Sequence, residues 1–134
     1  MKFDFLSESD QAYFIHKAST LVEALPYIRQ HSGDIIVIKY GGHAMGEKKL
    51  ASSFAKDIGL LKEIGISPII VHGGGPQIGE RLKNKNIATK FIDGLRVTDI
   101  ETIKVVEEVL SKDINSEIVS SISSTGGKAI GISG

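Results

Sequence analysis

Apolar residues recur at intervals of three and four from Asp10 onward, at Phe14, Ala18, Leu21, Leu25 and Ile28. That spacing predicts one face of a helix with Asp10 as its N-cap, preceded by a loose segment over residues 1–9. Pro26 falls inside the pattern, so a kink or restart is expected there. "HSGD" breaks the helix before an apolar run at Ile35–Lys39, too short for a helix and rich in branched residues, which reads as a strand. A second helix is expected from about Glu47, with Leu50, Phe54, Ile58 and Leu61 on one side, and a second strand at Pro68–His72. Pro76 suits the first position of a third helix. Asp93-Gly94, between apolar residues, signals a hairpin. Thr98 and Glu101 form a T-x-x-E capping pattern. Ile103, Val106, Leu110, Ile114, Ile118 and Ile122 then predict a helix running to Gly126-Gly127, and Ala129–Ile132 a last short strand.

Strands alternating with helices argue for an α/β fold, a parallel sheet sandwiched by helices, with a β-hairpin and an N-terminal helix added. Two segments echo each other: "IIVIKYGG" and "PIIVHGGG" each run a strand into bare glycines, with Gly41 and Gly74 33 residues apart. One βαβ unit has that length, so the echo is two successive crossovers in one sheet rather than a solenoid repeat.

In open parallel sheets ligands bind beyond the carboxyl ends of the strands, where both glycine runs fall. Glycine allows close backbone approach, and free N–H groups at a helix start attract anions. Such turns also serve simply to reverse the chain tightly. Two on adjacent strands favour a phosphate or carboxylate site. Neither run fits G-x-x-x-x-G-K-[ST] or G-x-G-x-x-G, which leaves Walker-type and protein-kinase-type sites unsupported. "HGGG" also occurs in esterase oxyanion holes, but the required G-x-S-x-G strand–helix turn and later histidine are missing. Lys39, closing the first strand, reads either as a lysine snorkelling from a sheet end or as a fixed cation for a transferring phosphoryl group. Arg96 reads either as a solvated strand residue or as a planar fork for a carboxylate. His16, His31, His43 and His72 show no metal-binding spacing, so no protein-held metal is expected.

Composition narrows the classes further. The 134 residues are 41% hydrophobic, enough for one domain's core, and carry 16 basic against 16 acidic side chains. That balance gives no basic excess for a nucleic-acid or membrane surface. There is no cysteine, no apolar run of membrane-spanning length and no signal-peptide h-region, so a cytoplasmic protein is expected. "GGKAIGISG" stops as a strand delivers the chain to another glycine turn, which suggests a fragment of something longer.

"VIKYGGHAM", "IIVHGGGPQI" and "DGLRVTD", in this order behind "ALPYIR", resemble the acetylglutamate kinases of the amino acid kinase family. The resemblance runs from about Ala24 to Gly134. It implies a three-layer αβα sandwich with a mainly parallel open sheet. Residues 1–31 would be an N-terminal extension and helix, and residues 32–134 the N-terminal, substrate-binding lobe. It implies ATP-dependent phosphorylation of the side-chain carboxylate of N-acetyl-L-glutamate, in arginine biosynthesis. Lys39 then matches the lysine stabilising the transferring phosphoryl group. Gly41, Gly42 and Gly73 match the glycine turns facing phosphate. Gly74 and Gly75 match the backbone holding substrate, and Arg96 the arginine gripping its α-carboxylate. A carboxylate nucleophile is already ionised at neutral pH, so no general base is needed. ATP with Mg2+ would be held mainly by a C-terminal lobe that this sequence lacks, leaving the chain inactive alone. The family further implies a homo-oligomer, a dimer through this lobe and a hexamer through the N-terminal helix, with arginine as inhibitor. The alternative that shares part of these motifs is the arginine-sensing domain of N-acetylglutamate synthase, which tends to lose the strand lysine and the triple glycine.

Overall fold

The computed structural model describes residues 7–41 and 45–134. Along the chain lie α1 (Glu8–His31), β1 (Ile35–Tyr40), α2 (Lys48–Glu63), β2 (Ser67–His72), α3 (Gly75–Asn84), β3 (Phe91–Ile92), β4 (Leu95–Arg96), α4 (Ile100–Glu107), a π-helical segment (Glu108–Ile114) and α5 (Asn115–Ser124). β1 and β2 pair in parallel from Ile35↔Ser67 to Tyr40↔His72, and β3 and β4 form an antiparallel hairpin. This is the α/β architecture expected, with α2 as the crossover between the parallel strands; the second of the two expected crossovers is not formed among the described residues.

Strand alternation decides which side chains face the helices. Ile38 and Ile70 point to one face and pack on Ala55, Ile58 and Ile122 from α2 and α5. The second core cluster joins α3 to α4 and the π-helical segment through Ile78, Leu82, Val105, Val109 and Ile114. On the opposite face Ile35, Val37, Ile69 and Val71 are all half-exposed or more, and Lys39 shares their side.

Several boundaries differ from the expectation. Ser7, rather than Asp10, caps α1: its hydroxyl accepts from the Asp10 N–H. The helix then passes through Pro26 without interruption. Proline removes only the N–H that would reach the Val22 carbonyl, and Val22 is exposed, so water can take the free acceptor. The capping pattern moves by one residue. Asp99 caps α4 by accepting from Thr102 N, while Thr98 Oγ1 donates to the Arg96 carbonyl. Asp99 therefore holds its carboxyl below the usual range, chiefly through the Thr102 backbone N–H. A depressed folded-state pKa stabilises above the unfolded value, and that contribution is lost as pH falls through the folded value. Asp99→Ala is accordingly expected to lower the melting temperature at pH 7. The gap to the parent should close as pH drops below about 4. Equal melting temperatures at pH 7 would remove Asp99 from the cap.

The expected single helix from Ile103 to Ile122 is an α–π–α run. Val105 and Val109 are buried, and the next buried apolar residue is Ile114, five positions on, before Ile122 restores the α period. A five-residue interval on one face is what a π-helical turn provides. Ile103, counted on the core face, is half-exposed instead. After α5, Gly126 takes a positive φ of 91°, and its N–H bonds the Ser123 carbonyl, a glycine stop as expected. Ala129–Ile132 forms no ladder. Ala129 packs on the sheet-side core, but Ile130 and Ile132 are exposed, and an open trough of about 910 Å3 separates this segment from β2. Without a hydrogen-bonding strand beside it, an apolar run stays unpaired.

Candidate functional site

Register brings the two glycine turns together. The ladder ends at Tyr40↔His72, so the next residues, Gly41 and Gly73, leave the sheet side by side at its carboxyl edge. Gly41 and Gly73 are exposed, with open space where a Cβ would stand. Gly42, placed beside them by the sequence, lies outside the described residues. Lys39 sits one residue before this edge, exposed, and forms no ion pair among the described residues.

The second turn leads into α3. Gly74 is its N-cap, no side chain caps the helix, and Pro76 occupies its first turn. Ile78 N bonds the Gly74 carbonyl, while the N–H groups of Gly74, Gly75 and Gln77 find no acceptor among the described residues. Together with the helix dipole, these free donors form an anion-attracting end. Gly74 is glycine for space, not for backbone angle. Its φ of 177° is open to any residue, but a Cβ there would lie 2.5 Å from Ile114 Cδ1 and 2.7 Å from Leu110 Cδ2. Gly74→Val is expected to cost about 1–3 kcal/mol through overpacking, read as a lowered urea midpoint. An unchanged midpoint would show that Leu110 and Ile114 swing aside freely.

The hairpin delivers Arg96. Asp93 and Gly94 both have positive φ, 50° and 80°, which makes the tight two-residue turn that an Asp-Gly pair signals. The Arg96 guanidinium stacks 4.7 Å from the Phe91 ring centre, and its Nη1 donates to Thr89 Oγ1 at 3.3 Å. Nη2 lies 3.9 Å from the Cβ position of Gly79, on the turn of α3 following Gly75. Arg96 thus reaches over the same helix whose free end carries Gly74 and Gly75.

A cavity of about 260 Å3 lies behind the turns, lined by Tyr40, Phe54, Gln77, Ile114 and Glu117 among others. Tyr40 stacks on Phe54, ring centres 4.0 Å apart. Burial, and then the Glu117 carboxylate, push the Tyr40 hydroxyl up in pKa. Among the described residues no lysine or arginine lines this space, whereas Glu117 does, so it disfavours anions. The open edge in front, with its glycine turns and the uncapped end of α3, carries no such carboxylate among these lining residues. Gln77 Oε1 is buried there without a hydrogen-bond partner among the described residues. Neither Gln77 nor Asn115, which lies against His72, stands out in the sequence. Both stand at ordinary helical positions, and only the packing of the π-helical segment against the turn brings them in.

The family model "Amino acid kinase family" matches residues 34–134. Curated relatives include acetylglutamate kinases of Zymomonas mobilis, 61% identical over 90% of this chain and 40% of the relative, and of Rhizorhabdus wittichii, 56% identical over 94% and 42%. The chain thus spans about two-fifths of the length of these relatives. Among solved structures, N-acetylglutamate synthase from Neisseria gonorrhoeae, complexed with coenzyme A and N-acetyl-glutamate, superposes with a TM-score of 0.69 at 26% identity, covering 81% of this chain and 25% of that one. A protein of Streptococcus mutans superposes with a TM-score of 0.62 at 32% identity, covering 69% and 37%.

Proposed function

The chain belongs to the amino acid kinase family, and on that footing we propose that it forms the acetylglutamate-binding part of an ATP-dependent acetylglutamate kinase. The reading rests on one arrangement, two glycine turns side by side at the carboxyl edge of a parallel pair, flanked by Lys39 and by the free end of α3. The acceptor carboxylate and the γ-phosphoryl group are both anions, so catalysis consists of positioning them and offsetting their repulsion. Gly74 and Gly75 present N–H groups to acetylglutamate, and Arg96 grips the α-carboxylate that does not react. Gly41, Gly42 and Gly73 face the phosphates, and Lys39 neutralises charge as the phosphoryl group moves. The proposal divides the chain at residue 31, with α1 as an extension and residues 32–134 as the substrate-binding lobe. Among the described residues no group of three His, Cys, Asp or Glu side chains could hold a metal; Mg2+ would come with ATP.

The synthase-like sensor reading has less support. The synthase superposes at 26% identity, against 61% for a kinase, and Lys39 and Gly73–Gly75 are intact. Cytoplasmic localisation and homo-oligomerisation belong to the same proposal. No described helix is long and apolar enough to cross a membrane. α1 buries none of its residues and leaves Phe14, Leu21 and Leu25 exposed, and α4 exposes Ile100 and Ile103, as faces waiting for a second copy would. Inhibition by arginine is part of the reading and is read in the same assay.

The decisive experiment grafts this chain in place of the matching 40% of the Zymomonas mobilis kinase. ATP-dependent acyl phosphate, trapped with hydroxylamine, is expected with N-acetylglutamate. A well-folded chimera that binds acetylglutamate but forms no acyl phosphate would sink the kinase reading and favour the sensor.

A further inference from the structure

His72 stands immediately before the glycine turn, and its ring is engaged at both nitrogens. Nδ1 lies 3.1 Å from the Gly73 carbonyl oxygen. Nε2 lies 3.4 Å from Asn115 Nδ2, and that same amide nitrogen lies 3.4 Å from the Ile132 carbonyl. A carbonyl can only accept. Asn115 Nδ2 therefore donates to both Ile132 and His72, Nε2 is the bare nitrogen, and Nδ1 carries the proton that it gives to Gly73. One neutral tautomer satisfies all three contacts.

That choice has a geometric consequence. The peptide is planar and trans, so the Gly73 carbonyl and the Gly74 N–H point in opposite directions. Holding the carbonyl on His72 aims the Gly74 N–H away from the ring, and this donor has no acceptor among the described residues. The turn cannot drift, because Leu110 and Ile114 close on the Gly74 Cβ position at 2.7 and 2.5 Å. All three contacts from behind, at Leu110, Ile114 and Asn115, come from the π-helical segment and the residue that follows it. The segment is braced in turn against α3. Arg81 pairs with Glu108 and Asp113 at 2.8 and 2.7 Å, and Lys85 with Glu108 at 2.8 Å. Asn115 also seats the far end of the chain, since a Cβ on Gly131 would overlap its Oδ1.

We propose that Asn115 is a positioning residue for the anion site. It selects the Nδ1–H tautomer of His72, and His72 thereby fixes the Gly73–Gly74 peptide with its N–H turned to the substrate. This rests on the reading that the turn holds the substrate carboxylate. Neither residue touches the substrate, and both act through one peptide plane.

Long-range 1H–15N NMR of the 134-residue chain reads the tautomer directly. Titration with N-acetyl-L-glutamate, followed at the Gly74 and Gly75 amides, reads the site. The parent is expected to show His72 protonated at Nδ1. Asn115→Asp, which can only accept at that nitrogen, is expected to move the proton to Nε2 and to weaken N-acetylglutamate binding about tenfold, the worth of one well-aimed hydrogen bond. The Ile58 and Leu82 amides should stay in place, reporting an intact core. Asn115→Ala serves as a second variant, expected to leave a mixture of tautomers and an intermediate affinity. A parent His72 protonated at Nε2 would overturn the proposal without any variant. So would a tautomer indifferent to both substitutions, or an altered tautomer with unchanged affinity. If the parent binds no N-acetylglutamate at all, the substrate reading of the turn falls and the positioning role with it. Binding by the parent with an unresponsive tautomer overturns the positioning role alone.

Discussion

Lys39→Ala, made in the kinase chimera, is expected to lower kcat by about 10²–10³-fold while leaving the KM for N-acetylglutamate within a few-fold. Lys39 stands next to last in β1 opposite Val71, two residues before Gly41, exposed and with no carboxylate partner among the described residues. A cation without an internal counter-ion is free to meet charge that develops only during transfer. The acceptor carboxylate is already ionised, so the barrier lies in bringing a second anion up to it and spreading charge over the moving phosphoryl oxygens. Removing a group that acts there lowers kcat and kcat/KM together. Lys39→Arg is expected to recover little, because its broader fork places charge differently at a point contact. Steady-state kinetics in both substrates decides. A raised KM with unchanged kcat would move Lys39 from the reacting group to ground-state binding.

Arg96→Ala is expected to act on the other quantity, raising the KM for N-acetylglutamate roughly ten- to over a hundredfold with kcat little changed. A guanidinium–carboxylate pair contributes about 1.5–3 kcal/mol. If it grips the carboxylate that does not react, it is equally strong in the ground and transition states, and such uniform binding appears in KM. Phe91 and Thr89 hold the guanidinium over α3, so Phe91→Ala should reproduce part of the loss without removing the charge. The tight turn sets the register of β4, and Gly94 has a φ of 80°. Gly94→Val should therefore mimic Arg96→Ala through backbone strain. Arg96→Lys should recover only part, since a point charge cannot reproduce the fork. A KM within about twofold of the parent in Arg96→Ala would make Arg96 a hairpin residue held by Phe91 and nothing more.

Much of this was legible along the chain, because it depends on neighbours a few residues apart. Branched runs ending in glycine marked β1 and β2, Asp93-Gly94 marked the hairpin, and Gly126 the end of α5; in each case the local conformation follows from what those side chains permit. Motif order was legible too, and with it the family. The α1 cap and the Asp99 cap slipped from their expected places because several residues there can accept from the same N–H groups. Which one does is settled by fractions of a kcal/mol. At Pro26 the helix does not restart, because an exposed helix can lose one hydrogen bond to water.

What the one-dimensional pattern could not decide was where the period changes and which distant residues meet. The π-helical segment shifts the buried face from the Ile103 register to Thr102, Val105 and Val109, then regains Ile114 five residues later. Counting threes and fours cannot reveal an inserted residue, because the extra turn is held by packing against α3 rather than by local preference. The same holds for the unpaired Ala129–Ile132, since a strand exists only when a neighbour takes its hydrogen bonds. Asn115 lies 43 residues from His72 in the chain and 3.4 Å from it in space. Composition and spacing placed the glycines at the end of a strand. His72, directly before the triple glycine, was legible as a structural hydrogen-bonding residue. Only the fold supplied the asparagine and π-helical turn behind it, because long-range packing is set by shape and hydrogen-bond geometry rather than by sequence distance.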